Sequence, residues 1–172
     1  MKRIIWISMI LLLSVFAVSC VSNTEAVQEE TQENTKTAFE RIYDIYRADL
    51  ILDGAQSYTV VRGDFLAAIT RKFYGNGNGY FFPLIMLASS DVVSDPELIE
   101  PGMELIIPNL EKNLGNPTAR GRIKSFLRDM ADVYEQKAGA ITAEVRATTQ
   151  GNTRYTEDIK TRDKLIVLSD SL

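Results

Sequence analysis

Two short β-rich runs, Tyr58-Thr-Val-Val-Arg62 and Glu104-Leu-Ile-Ile107, enclose a stretch whose regular spacings are helical. β-branched and aromatic residues suit extended backbone, where their side chains pack on a pleated surface. Gly63-Asp64 closes the first run as a turn, and Pro108 ends the second because proline cannot donate to a ladder. Between them, Leu66, Ile69 and Phe73 mark one helical face, and Asp64 is suited to cap that helix. Phe82, Ile85, Met86 and Leu87 mark a second helix, with Pro83 tolerated in its first turn. Gly75-Asn-Gly-Asn-Gly79 reads as a loop, and 91–102, with Pro96 and Pro101, as irregular chain. The order is strand, helix, helix, strand. It predicts an α+β fold: a two-stranded antiparallel sheet with both helices on one face.

Helices are expected on both flanks. Phe39, Ile42, Tyr43, Tyr46 and Leu50 recur at helical spacing and predict a helix over 35–52, stopped by Asp53-Gly54, within an N-terminal unit of 35–57. Its apolar face either packs on the following domain or docks an envelope protein partner. Residues 109–116 read as a connector. Pro117 suits a first helical position, and Ile123, Phe126, Leu127, Met130, Val133, Tyr134, Lys137 and Ile141 predict a long helix to Thr148, loosened at Gly139 and broken by Gly151-Asn152. A last short helix is expected over 158–168, so 109–172 forms a C-terminal helical extension.

The chain opens Met1-Lys2-Arg3 and runs apolar from Ile4 to Val18, interrupted by Ser8 and Ser14. A basic start and a short apolar run make a secretory signal. The run of 15 residues is shorter than a spanning helix needs. The only cysteine, Cys20, follows Ala17-Val18-Ser19 where the run ends. This resembles the lipobox of bacterial lipoprotein signals, in which the cysteine receives a diacylglyceryl group and becomes the first mature residue. Ala17 stands where the usual pattern prefers Leu, as in the relaxed lipoboxes of spirochaetes. The resemblance implies a signal peptide over 1–19, a lipid anchor at Cys20, and a place in the cell envelope on a periplasm-facing membrane. Further acylation makes anchoring stable where one chain is marginal. Residues 20–34, acidic and without aromatics, read as a flexible tether.

The central segment, 58–108, resembles the LysM domain. The matching residues are Tyr58 to Leu66, Ile69, Lys72-Phe-Tyr-Gly75, Pro83-Leu-Ile85, Asp91, Asp95-Pro96, Leu98-Ile99, Pro101-Gly102 and Leu105-Ile-Ile-Pro108. The resemblance implies binding of N-acetylglucosamine-containing glycans, peptidoglycan above all, in a shallow groove between two loops. Here the walls are Gly63, Asp64, Phe65 and Leu66, and Leu98, Ile99, Glu100 and Pro101. Ser89 follows the second helix where the family usually has Asn, and Phe65 stands where it usually has a small hydroxyl residue. Phe65 either stacks on a sugar face or fills the groove; Leu66 and Ile99 either touch sugar or belong to the core. The aromatics at 73–74 and 80–82 invite a sugar-stacking reading, with Tyr80 and Phe81 the better candidates for exposure, but core packing is the expectation for the cluster as a whole.

Composition narrows the function classes. The 172 residues include no histidine and one cysteine, which excludes a Ser-His-Asp or Cys-His site, a His-ligated metal and an internal disulfide. The net charge of −4 offers no basic face for nucleic acid. Glu135 and Glu144 have no partner carboxylate arranged for glycoside cleavage. The expectation is a non-catalytic protein without metal or cofactor, whose partners are glycan, membrane through Cys20, and an envelope protein if the flanking helices dock one. The alternative is an interaction scaffold in which the central fold has lost sugar affinity.

Overall fold

Gln56–Thr59 (β1) pairs antiparallel with Glu104–Ile107 (β2) in the computed structural model, which describes residues 36–172. The expected signal, Cys20 and the tether lie outside the described residues. Tyr58 stands opposite Leu105, and Gln56 opposite Ile107. Alternation along the pleat turns Tyr58, Leu105 and Ile107 toward the core, while Ser57, Thr59, Glu104 and Ile106 face out. The first strand lies two residues earlier than expected. Val60 still donates to the Met103 carbonyl (2.9 Å), but its own carbonyl accepts from Gly102 N–H (2.9 Å). Two residues of the second loop thus face one of the first, a bulge-like offset that ends regular pairing before Arg62.

Both intervening helices pack on the inner side of the sheet. Leu66–Tyr74 (α2) follows Ala38–Tyr46 (α1) in chain order and buries Leu66 and Ile69, while Phe73 meets Tyr58 edge-on at 5.4 Å. The glycine-rich stretch is not an open loop: Asn76–Phe81 forms a 3₁₀ segment, tied back by Asn78 Nδ2 donating to the Tyr74 carbonyl (2.6 Å). Glycines that break an α-helix are compatible with such short i→i+3 turns. Phe82–Ala88 (α3) carries Pro83 in its first turn, as expected, and is buried throughout. Phe81 is only 4% exposed, so it joins the core as expected for the cluster as a whole, rather than the surface for which it was one of two candidates.

The N-terminal helix is shorter than its periodicity suggested. Thr37 and Glu40 close a capping box at its start. It tightens into a 3₁₀ turn at Arg47–Asp49, and Leu50 leaves in extended form. The diversion has a partner: Asn113, fully buried, accepts from Ile51 N–H (2.9 Å) and donates to the Ile51 carbonyl (2.8 Å). Asn113 sits on Leu110–Gly115 (α4), a helix where a connector was expected, capped by Asn109 accepting from Lys112 N–H.

Pro117–Gly139 (α5) begins as expected, with Asn116 accepting from Thr118 and Ala119 N–H. It does not continue to Thr148. Thr142 caps a short helix, Ala143–Arg146 (α6), and Thr148 caps Thr149–Asp170 (α7). Gly151-Asn152, read as a breaker, lies inside α7, which is far longer than the expected 158–168 helix. A Cβ at Gly151 would run into the Val145 carbonyl, so glycine here permits close packing of α7 on α6.

Thr37–Leu172 shares one apolar core. Phe39, Tyr43 and Tyr46 of α1, α3, the inner face of β2, Phe126, Leu127 and Met130 of α5, and Leu165 of α7 are all buried in it. The apolar face of α1 is therefore packed. The class is α+β, with seven α-helices and a two-stranded sheet among the described residues.

Two of the helical glycines, Gly151 and Gly121, should behave oppositely. Gly151→Ala forces a methyl into backbone and should cost about 1–3 kcal/mol of unfolding free energy. Gly121→Ala, in α5 with nothing within 4 Å of the new methyl, should gain about 0.5–1 kcal/mol. Denaturant unfolding of both variants checks the pair; a neutral Gly151→Ala would refute the α6–α7 contact.

Candidate functional site

The turn after β1 and the chain entering β2 meet at one end of the sheet, held by the two backbone bonds from Val60 to Gly102 and Met103. Asp64 builds the first turn. Its Oδ2 accepts from Val61 N–H (2.9 Å) and from the Tyr58 hydroxyl (2.7 Å). It does not cap α2 as expected: Phe65 holds the cap position, with no side-chain bond, because the carboxylate is drawn back onto Val61 and Tyr58. Gly63 has φ 92°, and nothing lies within 4 Å of a Cβ built there, so backbone conformation rather than space requires glycine. The Val61 bond first, then the Tyr58 bond, hold the Asp64 carboxyl below its usual range; nearby Lys72 adds to the effect.

Around this junction three apolar side chains reach solvent. Val61 is 55% exposed, Phe65 54% and Leu98 61%. The Arg71 guanidinium lies 5.6 Å from the Phe65 ring centroid and backs the ring. Glu100 and Pro101 are exposed, and Ile99 is half-buried against the core. Backbone groups of glycine- and proline-shaped turns beside exposed apolar side chains can hold a ring with one polar edge and one apolar face.

Leu66 and Ser89 do not join this surface. Leu66 is a core residue of α2. Ser89 is 3% exposed, and its Oγ accepts from Ile106 N–H (2.8 Å) and donates toward the Ile106 carbonyl (3.4 Å). It closes the outer edge of β2. Val61 and Arg71 belong to the surface but were not anticipated. Two adjacent valines at a strand end were the available signal for Val61, since alternation must send one of them outward.

Long-range contacts anchor the second loop. Thr37 Oγ1 donates to the Ser94 carbonyl (3.1 Å). Lys137 Nζ on α5 lies 3.4 Å from both Asp95 Oδ2 and Glu97 Oε1, and Arg154 on α7 lies 3.6 Å from Glu97 Oε2. Asp158 is buried nearby; burial raises its carboxyl above the usual range, and Lys137 opposes that shift. Arg47 pairs with exposed Asp91 at 2.6 Å.

Compared with models of protein families, with curated proteins and with solved structures, the chain matches none. Among the described residues, no group of three or more Cys, His, Asp or Glu could hold a metal ion, and no helix is long and apolar enough to cross a membrane.

Two outcomes follow from the turn and the strand edge. The Asp64 carboxyl should titrate below about 3.9, the ordinary aspartate value. Since its folded value is depressed, its contribution to stability is full above the unfolded value and fades as pH falls through the folded one. NMR titration of the side-chain carboxyl, read with the Val61 amide shift, checks this; an ordinary midpoint would remove the turn assignment. Ser89→Ala should cost about 1–3 kcal/mol in denaturant unfolding, because it leaves the Ile106 N–H without its partner.

Proposed function

We propose that the protein is a non-catalytic cell-envelope lipoprotein, anchored through Cys20, that grips N-acetylglucosamine-containing glycan, peptidoglycan above all, through a LysM-like module over 58–108. The observation that carries the reading is the meeting of two turn-built loops at one end of the sheet, with Val61, Phe65 and Leu98 exposed around the junction. Backbone amides and carbonyls of such turns suit the N-acetyl amide, and apolar side chains suit its methyl group. Phe65, backed by Arg71, offers a ring on which a sugar face can stack. Leu66 and Ser89 act through the core and the strand edge in this reading, and Gly63, Asp64, Phe65, Leu98, Ile99, Glu100 and Pro101 form the groove.

A second reading rests on Ile45 and Leu52, both large apolar residues exposed on the N-terminal flank. They favour an envelope scaffold that binds another protein and has no use for sugar.

Cosedimentation with purified, protein-free peptidoglycan separates the two. The detergent-solubilised full chain should pellet with the sacculi, and Phe65→Ala should weaken retention about fivefold, the equivalent of about 1 kcal/mol for an aromatic contact. A folded protein that stays in the supernatant would sink the glycan reading and leave the scaffold. The anchor is checked separately: Cys20→Ser should abolish labelling by a fatty-acid probe, and equal labelling would remove it.

A further inference from the structure

A second opening lies away from the loop junction, between the 3₁₀ segment and the end of α7. It has a volume of about 170 Å³ and is lined by Asn78, Tyr80, Lys164, Val167, Leu168 and Ser171, among others. Its chemistry is mixed. Val167 is 66% exposed, the most exposed of the large apolar residues described, and Tyr80 brings a phenol. No acidic side chain lines it. Lys164 has no carboxylate partner among the described residues, although the acids near it in sequence are engaged: Asp163 with Arg162, Asp170 with Arg128, and Glu157 with Lys160. Lys164 is thus an exposed cation beside a partly apolar cleft that no acidic side chain lines.

A short chain of neighbours links the cleft to the loop junction. Gly79 lies between two of its lining residues, Asn78 and Tyr80, and a Cβ there would meet Arg71 Cγ and Nη1 at 3.2 Å. The same Arg71 lies over Phe65 and likewise has no carboxylate partner among the described residues. Phe65, Arg71, Gly79 and the Tyr80 cleft therefore form a chain of neighbours carrying two unpaired cations.

We propose that this cleft is a second subsite for the same polymer, taking a carboxylate carried on it: Lys164 pairs with the carboxylate while Tyr80 and Val167 cover the adjoining apolar atoms. The proposal rests on the glycan reading above and narrows it. The preferred ligand is a peptide-bearing, anionic N-acetylated glycan, rather than a neutral polymer of N-acetylglucosamine.

Calorimetric titration of the detergent-solubilised full chain tests it with two soluble probes: a peptidoglycan tetrasaccharide with its carboxylate-bearing peptides, and neutral chitotetraose. Lys164→Gln should weaken the first about tenfold, as expected for loss of a charge-assisted hydrogen bond, and leave the second within about twofold. Lys164→Arg should retain most of the affinity, and Phe65→Ala should weaken both probes. If Lys164→Gln leaves the anionic probe unchanged while Phe65→Ala weakens both, the subsite is wrong and the glycan reading stands. Equal weakening of both probes by Lys164→Gln overturns the anionic preference. If neither probe binds the unaltered protein, both proposals fall.

Discussion

The structure of Thr37–Leu172 depends on one apolar seam, the face of α5 formed by Phe126, Leu127, Met130 and Tyr134. Each of these side chains is almost completely removed from water, worth about 1.5–3 kcal/mol apiece. The seam is aromatic at the α1 contact: Phe39 meets Tyr134 at 5.7 Å and Tyr46 meets Phe126 at 5.3 Å between ring centroids. Polar bonds fix the register. Tyr46 donates to Asp129 Oδ2 (2.7 Å), and burial together with that bond pushes its phenol up to about 12. Arg122 Nε donates to Asp49 (2.6 Å) and Nη2 to the Ile45 carbonyl (2.8 Å), satisfying the end of α1. On the other side α7 packs along α5 through Leu165. The flanking helices are therefore part of the same core as the sheet.

This arrangement gives the two loops of the candidate site different origins. The first is local: Gly63, Asp64 and Tyr58 shape it within a few residues. The second depends on residues distant in sequence, with Thr37, Lys137 and Arg154 each reaching the 94–97 stretch. Much of the polar anchoring is partly exposed, and such pairs contribute little individually; their effect is to select one loop conformation. The shape of the second loop is thus coupled to α1, α5 and α7.

What could be read from the residues follows the same division. The two strands, the buried α3 with its early proline, and the start of α5 were legible because their signals are local: β-branched runs, a proline at the first turn, helical spacing. The α+β class followed. Misreadings occurred where tertiary contacts override local preference. Asn113 draws Ile51 out of a helix whose apolar spacing continued to Leu50. Gly151 looked like a breaker but marks a close approach to Val145. Asp64 had the composition of a helix cap, yet its carboxylate serves the turn instead. At the site, the exposure of Phe65 and Leu98 and the burial of Ser89 depend on which side of a loop faces the core, and no spacing rule reports that; Leu66, by contrast, was marked by its helical spacing with Ile69 and Phe73.

The central claim is that the loop junction at the end of the sheet is the glycan-binding surface. Hydrogen–deuterium exchange of the full chain with and without saturating solubilised peptidoglycan addresses it at the level of backbone amides. The account predicts slowed exchange in 61–66 and 98–103, with little change along α5, whose amides are already protected by the core. Unchanged exchange in both loops, with the α5 amides still protected so that the fold is intact, would contradict it.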